Sequence, residues 1–236
     1  MKKTVEGVRM GNQYNVLIDS VGALLIFVIF LAERRQKQRG DAASTKLLYA
    51  LMLCCTLVFL TDIPGLLLDG RSFPGARILL WIVDTAYWLL QILYCWLWLL
   101  FADYWAFHSK ARLKRRRIVY AVPMIAEILL VLTTPLTGWV FTIDNANAYA
   151  RGSLYLWNML PYGAYIVAAI GVTILGSRRN ANPERKRRCI SLVIYMFLPV
   201  CGVLLDAFVY GISWVCPMVA LSLLMVHVNV QQAFLN

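Results

Sequence analysis

The chain has 236 residues, of which 61% are apolar and 15% charged, against about 45–50% and about 25% in an ordinary soluble domain. With a mean hydropathy of +0.66 and with 8 Trp and 12 Tyr, this composition excludes a disordered tail, a secreted disulfide scaffold and most soluble enzymes, and points to a polytopic membrane protein. The net charge of +11, from 23 Lys and Arg against 12 Asp and Glu, raises nucleic acid as a partner, and the position of those charges decides the matter.

A membrane-spanning helix needs about 20 mostly apolar residues, because it rises about 1.5 Å per residue through about 30 Å of hydrocarbon. In chain order, seven runs qualify: 14–32, 47–68, 78–107, 119–140, 154–175, 190–211 and 212–230. The expected fold is therefore all-α, a polytopic seven-transmembrane-helix bundle over 14–230. Residues 1–13 read as an extracytoplasmic tail, and 231–236 as the start of a cytoplasmic linker. The loops are short and leave no room for a soluble domain. A signal peptide would place its basic residues before the apolar run and a small-residue cleavage site after it. Here Glu6 interrupts the basic start and Glu33-Arg34-Arg35-Gln36-Lys37 follows the run, so the first helix reads as retained.

Seventeen of the basic residues fall in three loops on one side of this scheme. They are Arg34, Arg35, Lys37, Arg39 and Lys46; then Lys110, Arg112, Lys114, Arg115, Arg116 and Arg117; then Arg178, Arg179, Arg185, Lys186, Arg187 and Arg188. The other side has Lys2, Lys3, Arg9, Arg71, Arg77 and Arg151. Cytoplasmic loops carry the Lys and Arg excess, which predicts the N-terminus outside and the C-terminus in the cytoplasm. The basic loops then lie at anionic lipid headgroups, each charge contributing about 1 kcal/mol of attraction. The expected partner of this charge is the lipid bilayer, and no nucleic acid is expected.

Those loops hold 17 basic residues against three acidic ones, a net +14, so the rest of the chain is net −3. Asp19, Asp62, Asp84, Glu127 and Asp206 all lie inside spans. A charged group at the bilayer centre costs about 2.5–3.5 kcal/mol or more, so such residues face the bundle interior and mark function. In the third helix Trp81, Asp84, Trp88, Gln91, Cys95 and Trp98 recur at steps of three and four, one helical face. Asn158, Tyr162 and Tyr165 repeat the pattern in the fifth, and Trp214, Met218 and Ser222 in the seventh. These faces predict an outward-open, acidic, aromatic-lined cavity suited to a small cationic or amine-bearing ligand. The expected ligand-binding residues are Asp84, Trp88, Glu127, Asn158, Tyr162, Asp206 and Trp214. The 141–153 loop, with Asp144, Asn147, Tyr149 and Arg151, is the expected lid. The plainer alternative is interhelical hydrogen-bond glue, worth about 0.6 kcal/mol per contact, with protonated acids and with Trp139 and Trp214 as interface anchors.

Pro64, Pro123, Pro135, Pro161, Pro199 and Pro217 fall within spans. Each removes a backbone donor and kinks its helix, which gives the bundle either ordinary membrane-helix shape or two alternative packings. The cysteines (Cys54, Cys55, Cys95, Cys189, Cys201 and Cys216) have no metal-ligand spacing and read as small packing residues. No metal or other cofactor is expected. Only His108 and His227 are present, so there is no metalloprotease motif, and no lysine follows Lys186 to form a retinal Schiff base. No nucleophile–base pair points to an enzyme.

The stretch Pro135-Leu-Thr-Gly-Trp-Val-Phe-Thr-Ile-Asp144-Asn-Ala-Asn147-Ala-Tyr149-Ala-Arg151-Gly152 resembles the helix 4–5 connection of bacterial seven-helix sensor modules. These stand at the N-termini of membrane-bound GGDEF diguanylate cyclases and of some histidine kinases. A second similar stretch runs from Phe197-Leu-Pro199-Val-Cys-Gly through Asp206, Tyr210-Gly211 and Trp214 to Ala220-Leu-Ser222 and Gln231-Gln232. The resemblance covers the whole order of spans. It implies a receptor that passes a signal through its last helix to a cytoplasmic effector, a diguanylate cyclase or histidine kinase. This chain stops at Phe234-Leu235-Asn236, so the effector is expected in cis beyond it or in trans as a partner. A homodimer is a further expectation. The rival reading is a seven-helix small-solute transporter, against which stands the lack of an internal repeat.

Overall fold

The computed structural model describes residues 2–35, 42–208 and 213–235, with side chains at 12–32, 42–205 and 213–231. Seven helices are present among them: α1 Lys2–Arg35, α2 Ala42–Leu68, α3 Ala76–Phe107, α4 Lys110–Thr137, α5 Tyr155–Arg179, α6 Pro183–Phe208 and α7 Val215–Leu235. Six are long and apolar enough to cross a membrane, while the apolar part of α7, Val215–Gln231, is shorter. The sequence run assigned to the seventh span starts at 212, outside the described residues. A two-stranded antiparallel hairpin, β1 Phe141–Ile143 and β2 Tyr149–Arg151, joins α4 to α5, so the fold is all-α except for this one element.

The polarity of the bundle is inverted relative to a soluble protein. Large apolar residues point outward, with Leu136 92%, Val167 71% and Ile118 69% exposed, while Asp19, Asp103, Glu127, Asn158, Thr173 and Ser222 are buried. That arrangement is stable in hydrocarbon and unstable in water. The helices close a ring in which each packs on its chain neighbours and α1 meets α7; α3 is central, packing on α2, α4 and α5.

Three local devices set this packing. At Gly176 a Cβ would lie 3.1 Å from the Ala106 carbonyl oxygen and closer still to the Ala106 methyl, so only glycine lets α5 approach α3 this closely. The Tyr165 hydroxyl of α5 donates to the Tyr120 carbonyl (2.5 Å) and accepts from the Met124 N–H (3.0 Å). Residues 120 and 124 are one i→i−4 pair beside Pro123, so a side chain from the neighbouring helix enters the ladder where proline disturbs it. Near the start of α4, Arg112 Nε donates to buried Asp103 at 3.0 Å, and its guanidinium lies 3.6 Å from the centre of the Phe107 ring.

The element ends correct several sequence boundaries. α1 begins at Lys2, so residues 2–13 of the expected tail are helical and continuous with the first span. The basic residues at 110–117 lie in the first turns of α4, which Ser109 caps by accepting from the Arg112 N–H. Those at 178–179 and 183–188 lie in α5 and α6. Helix propensity carries Lys and Arg as readily as Leu, so the spans extend beyond the hydrocarbon and the loops shrink. The side chains of Arg34, Arg35, Lys37 and Arg39 lie outside the described residues.

Candidate functional site

The predicted face of α3 meets α5 around Trp88. Its ring lies edge-on to Tyr155 (6.0 Å between centroids, 83° between planes) and at 6.2 Å from Tyr162, geometries that suit the quadrupoles of aromatic rings. The adjacent Tyr87 packs on Trp88 at 5.6 Å, and Gln91, one turn along, donates from Nε2 to the Tyr87 hydroxyl at 2.9 Å. Asp84 stands one turn before Trp88. Its Oδ1 occupies the space that a side chain at Gly65 of α2 would need, and its Oδ2 is buried with no hydrogen-bond partner. On the far side, Glu127 of α4 and Asn158 of α5 are 2% and 0% exposed. Both lie within electrostatic reach of Tyr162. Glu127 Oε1 and both polar atoms of the Asn158 amide have no hydrogen-bond partner. Buried polar groups are ordinarily satisfied, so three such groups around one set of rings is a chemical signal.

The hairpin roofs this cluster. Val140, Phe141 and Ile143 join Leu80, Trp88 and Val131 in one buried apolar group, with Trp81 and Tyr149 against Phe141 (4.9 and 5.7 Å). Where the sequence predicts an outward-open cavity, the structure has the hairpin packed over Trp88. Asp144 and Asn147 shape the turn: Asp144 Oδ1 accepts from the Ala146 and Ala148 N–H groups, both at 2.8 Å, and Asn147 takes a positive φ of 58°. The turn is fastened to the α2–α3 connection. The Gly70 N–H donates to the Asn147 carbonyl (2.8 Å), Asn147 Nδ2 to the Arg71 carbonyl (2.9 Å), and the Tyr149 N–H to Asp69 Oδ1 (2.9 Å). Arg77 donates to the Ile143 carbonyl at 3.0 Å. Burial pushes the Tyr149 phenol above the usual tyrosine range. Arg151 lies over the Tyr155 ring at 4.5 Å, a cation–π contact at the rim. Gly152 closes the hairpin against the Gly138 and Trp139 carbonyls, where a Cβ has no space.

Trp88, Glu127, Asn158 and Tyr162 are thus drawn together, with Arg151 over the adjoining Tyr155 ring, while Asp84 lies against Gly65 of α2 within electrostatic reach of Tyr149. Trp214 stands at the start of α7, where its carbonyl faces Gly202 of α6. The Asp206 side chain lies outside the described residues. Sequence reasoning missed Tyr155, Asp69 and Arg77. Tyr155 sits three residues before Asn158 and seven before Tyr162, so the helical spacing could have found it. Nothing local marks Asp69 or Arg77 as hairpin anchors.

Apolar helices turned outward around buried carboxylates and amides define a membrane-embedded polytopic module with polar groups in its interior. A family model described as the N-terminal 7TM region of histidine kinase matches residues 17–233, and the chain belongs to that family. Comparison with curated proteins gives no match. The chain is accordingly a multi-pass plasma-membrane protein and a non-catalytic sensor module of the histidine kinase type.

Proposed function

We propose that this module binds a small ligand carrying a positive or amine group beneath the hairpin and transmits its presence to a cytoplasmic histidine kinase. The observation that carries the reading is Glu127, buried with an unpartnered oxygen and within electrostatic reach of the Tyr162 ring that meets Trp88, together with half-buried Asp84, whose own Oδ2 is unpartnered, one turn before Trp88. A cation entering there gains charge pairing and ring contact together, and its ammonium donors satisfy oxygens that the fold leaves bare. Asn158 and Tyr162 orient it; Asp206 and Trp214 belong to the proposal on their sequence positions alone. The N-terminus and hairpin face outward and the basic end faces the cytoplasm, a reading supported by the 17-to-6 split of Lys and Arg.

The 141–153 segment acts as the lid. Its bonds to 69–71 and Arg77 give it a defined closed position, so entry requires that these bonds part together. Binding biases the packing of α6 and α7, and it does so only by the difference in affinity between the two packings. The family match favours a histidine kinase over a diguanylate cyclase as effector. Asp84→Asn and Asp206→Asn, each tested against amine-bearing solutes, should abolish ligand-induced stabilisation and signalling output. Retention of both responses in both variants sinks the site assignment.

A further inference from the structure

A second polar cluster lies where α1, α2 and α7 meet. Asp19 of α1, Asp62 of α2 and Cys216 of α7 each bring one ligand-type atom to within 4.8 Å of the other two. Asp19 is 1% and Cys216 5% exposed, and neither oxygen of Asp19 has a hydrogen-bond partner. Cys216 Sγ and Asp62 Oδ2 are 3.7 Å apart. Among the described residues no Lys or Arg pairs with either carboxylate. The Tyr87 hydroxyl stands in electrostatic reach of all three groups. One turn from Asp19, Asn15 Oδ1 accepts from the Ser213 N–H at 2.9 Å, which fixes the start of α7 against α1.

We propose that Asp19, Asp62 and Cys216 form a buried site for a divalent cation of the zinc class. A tetrahedral ion with bonds of about 2.3 Å to sulfur and about 2.1 Å to oxygen holds its donors about 3.4–3.6 Å apart, and the Cys216–Asp62 separation already matches. The donor set selects the metal: calcium and magnesium prefer all-oxygen shells, cuprous copper prefers sulfur throughout, and one thiolate with two carboxylates suits zinc. Cys216 is the second residue of α7. Binding exchanges aqua ligands of the hydrated ion, which leave as water, for two carboxylate oxygens and one thiolate sulfur, and releases the thiol proton and any proton shared by the two carboxylates to solvent, with no change of oxidation state. The fourth position is left to water or an outside donor. The ion would clamp α7 to α1 and α2, and its occupancy would set the packing of the last helix.

The test is a metal titration of the intact chain in lipid nanodiscs after chelation, with cobalt(II) as the spectroscopic probe and zinc as competitor. The result expected is one cobalt per chain, with a thiolate-to-cobalt charge-transfer band that zinc abolishes. Cys216→Ser removes the band, Asp19→Asn and Asp62→Asn weaken zinc binding at least tenfold, and Cys201→Ser changes neither. The wild-type titration decides the question even where a variant fails to fold. Absence of the band at millimolar metal overturns the proposal, as does a band that survives Cys216→Ser; either result leaves Asp19 and Asp62 as a proton-sharing pair.

Discussion

Asp69→Ala probes the fastening of the hairpin over the site. In the wild type, Asp69 Oδ1 accepts from the Tyr149 N–H at 2.9 Å, and Oδ2 accepts from Asn12 Nδ2 at 3.4 Å. A hydrogen bond to a charged acceptor contributes about 1.5–3 kcal/mol, and the longer contact much less. The Gly70–Asn147, Asn147–Arg71 and Arg77–Ile143 bonds remain in place, so the hairpin stays folded but opens more often. A local loss of about 2 kcal/mol corresponds to about 30-fold faster opening-limited exchange, since about 1.4 kcal/mol is tenfold. Hydrogen exchange followed by mass spectrometry of a peptide covering 141–151 should show that increase, with peptides from the middle of α3 unchanged. Asp69→Asn keeps a neutral acceptor and should fall between wild type and Asp69→Ala. Exchange within twofold of wild type in Asp69→Ala refutes the view that this carboxylate holds the lid.

Other substitutions test the bundle itself through thermal unfolding in a fixed lipid mimetic. Gly176→Ala should lose about 1–3 kcal/mol by overpacking against Ala106, and Ala106→Gly added to it should recover part of the loss. Arg112→Ala should cost about 3–5 kcal/mol, because it strands the Asp103 carboxylate, 1% exposed, without its cation. Asp103→Ala should cost less, since Arg112 is nearer to water. Tyr165→Phe should cost about 1–3 kcal/mol, the penalty of removing the hydroxyl that serves both Tyr120 and Met124; equal stability would mean that α4 closes its own ladder at Pro123.

The spans were legible because the bilayer imposes a length that the sequence displays directly, as 20-residue apolar runs. The face of α3 was legible for the same kind of reason, since Asp84, Trp88 and Gln91 follow the helical period and the period fixes which side they share. Helix ends were not, because polar and basic residues such as those at 110–117 form helix as readily as loop. Strands of three residues carry too few alternations to register, so β1 and β2 passed as an irregular loop. The α1–α2–α7 cluster was hidden by distance along the chain. Cys216 lies 154 residues from Asp62, and Cys216 has none of the short spacing by which metal ligands are recognised. Tyr165 was placed on the right face, but its role depends on Pro123 in another helix, which only the packing reveals.

The most direct test of the sensor account is equilibrium binding and flux measured together on one proteoliposome preparation, with radiolabelled amine-bearing solutes. The account predicts a solute that binds saturably at one per chain, raises the unfolding free energy by about 2.7 kcal/mol at 100 times its Kd, loses at least tenfold in affinity in Asp84→Asn, and never accumulates in the lumen. Binding unaffected by Asp84→Asn, or time-dependent uptake of the solute into the vesicles, contradicts it.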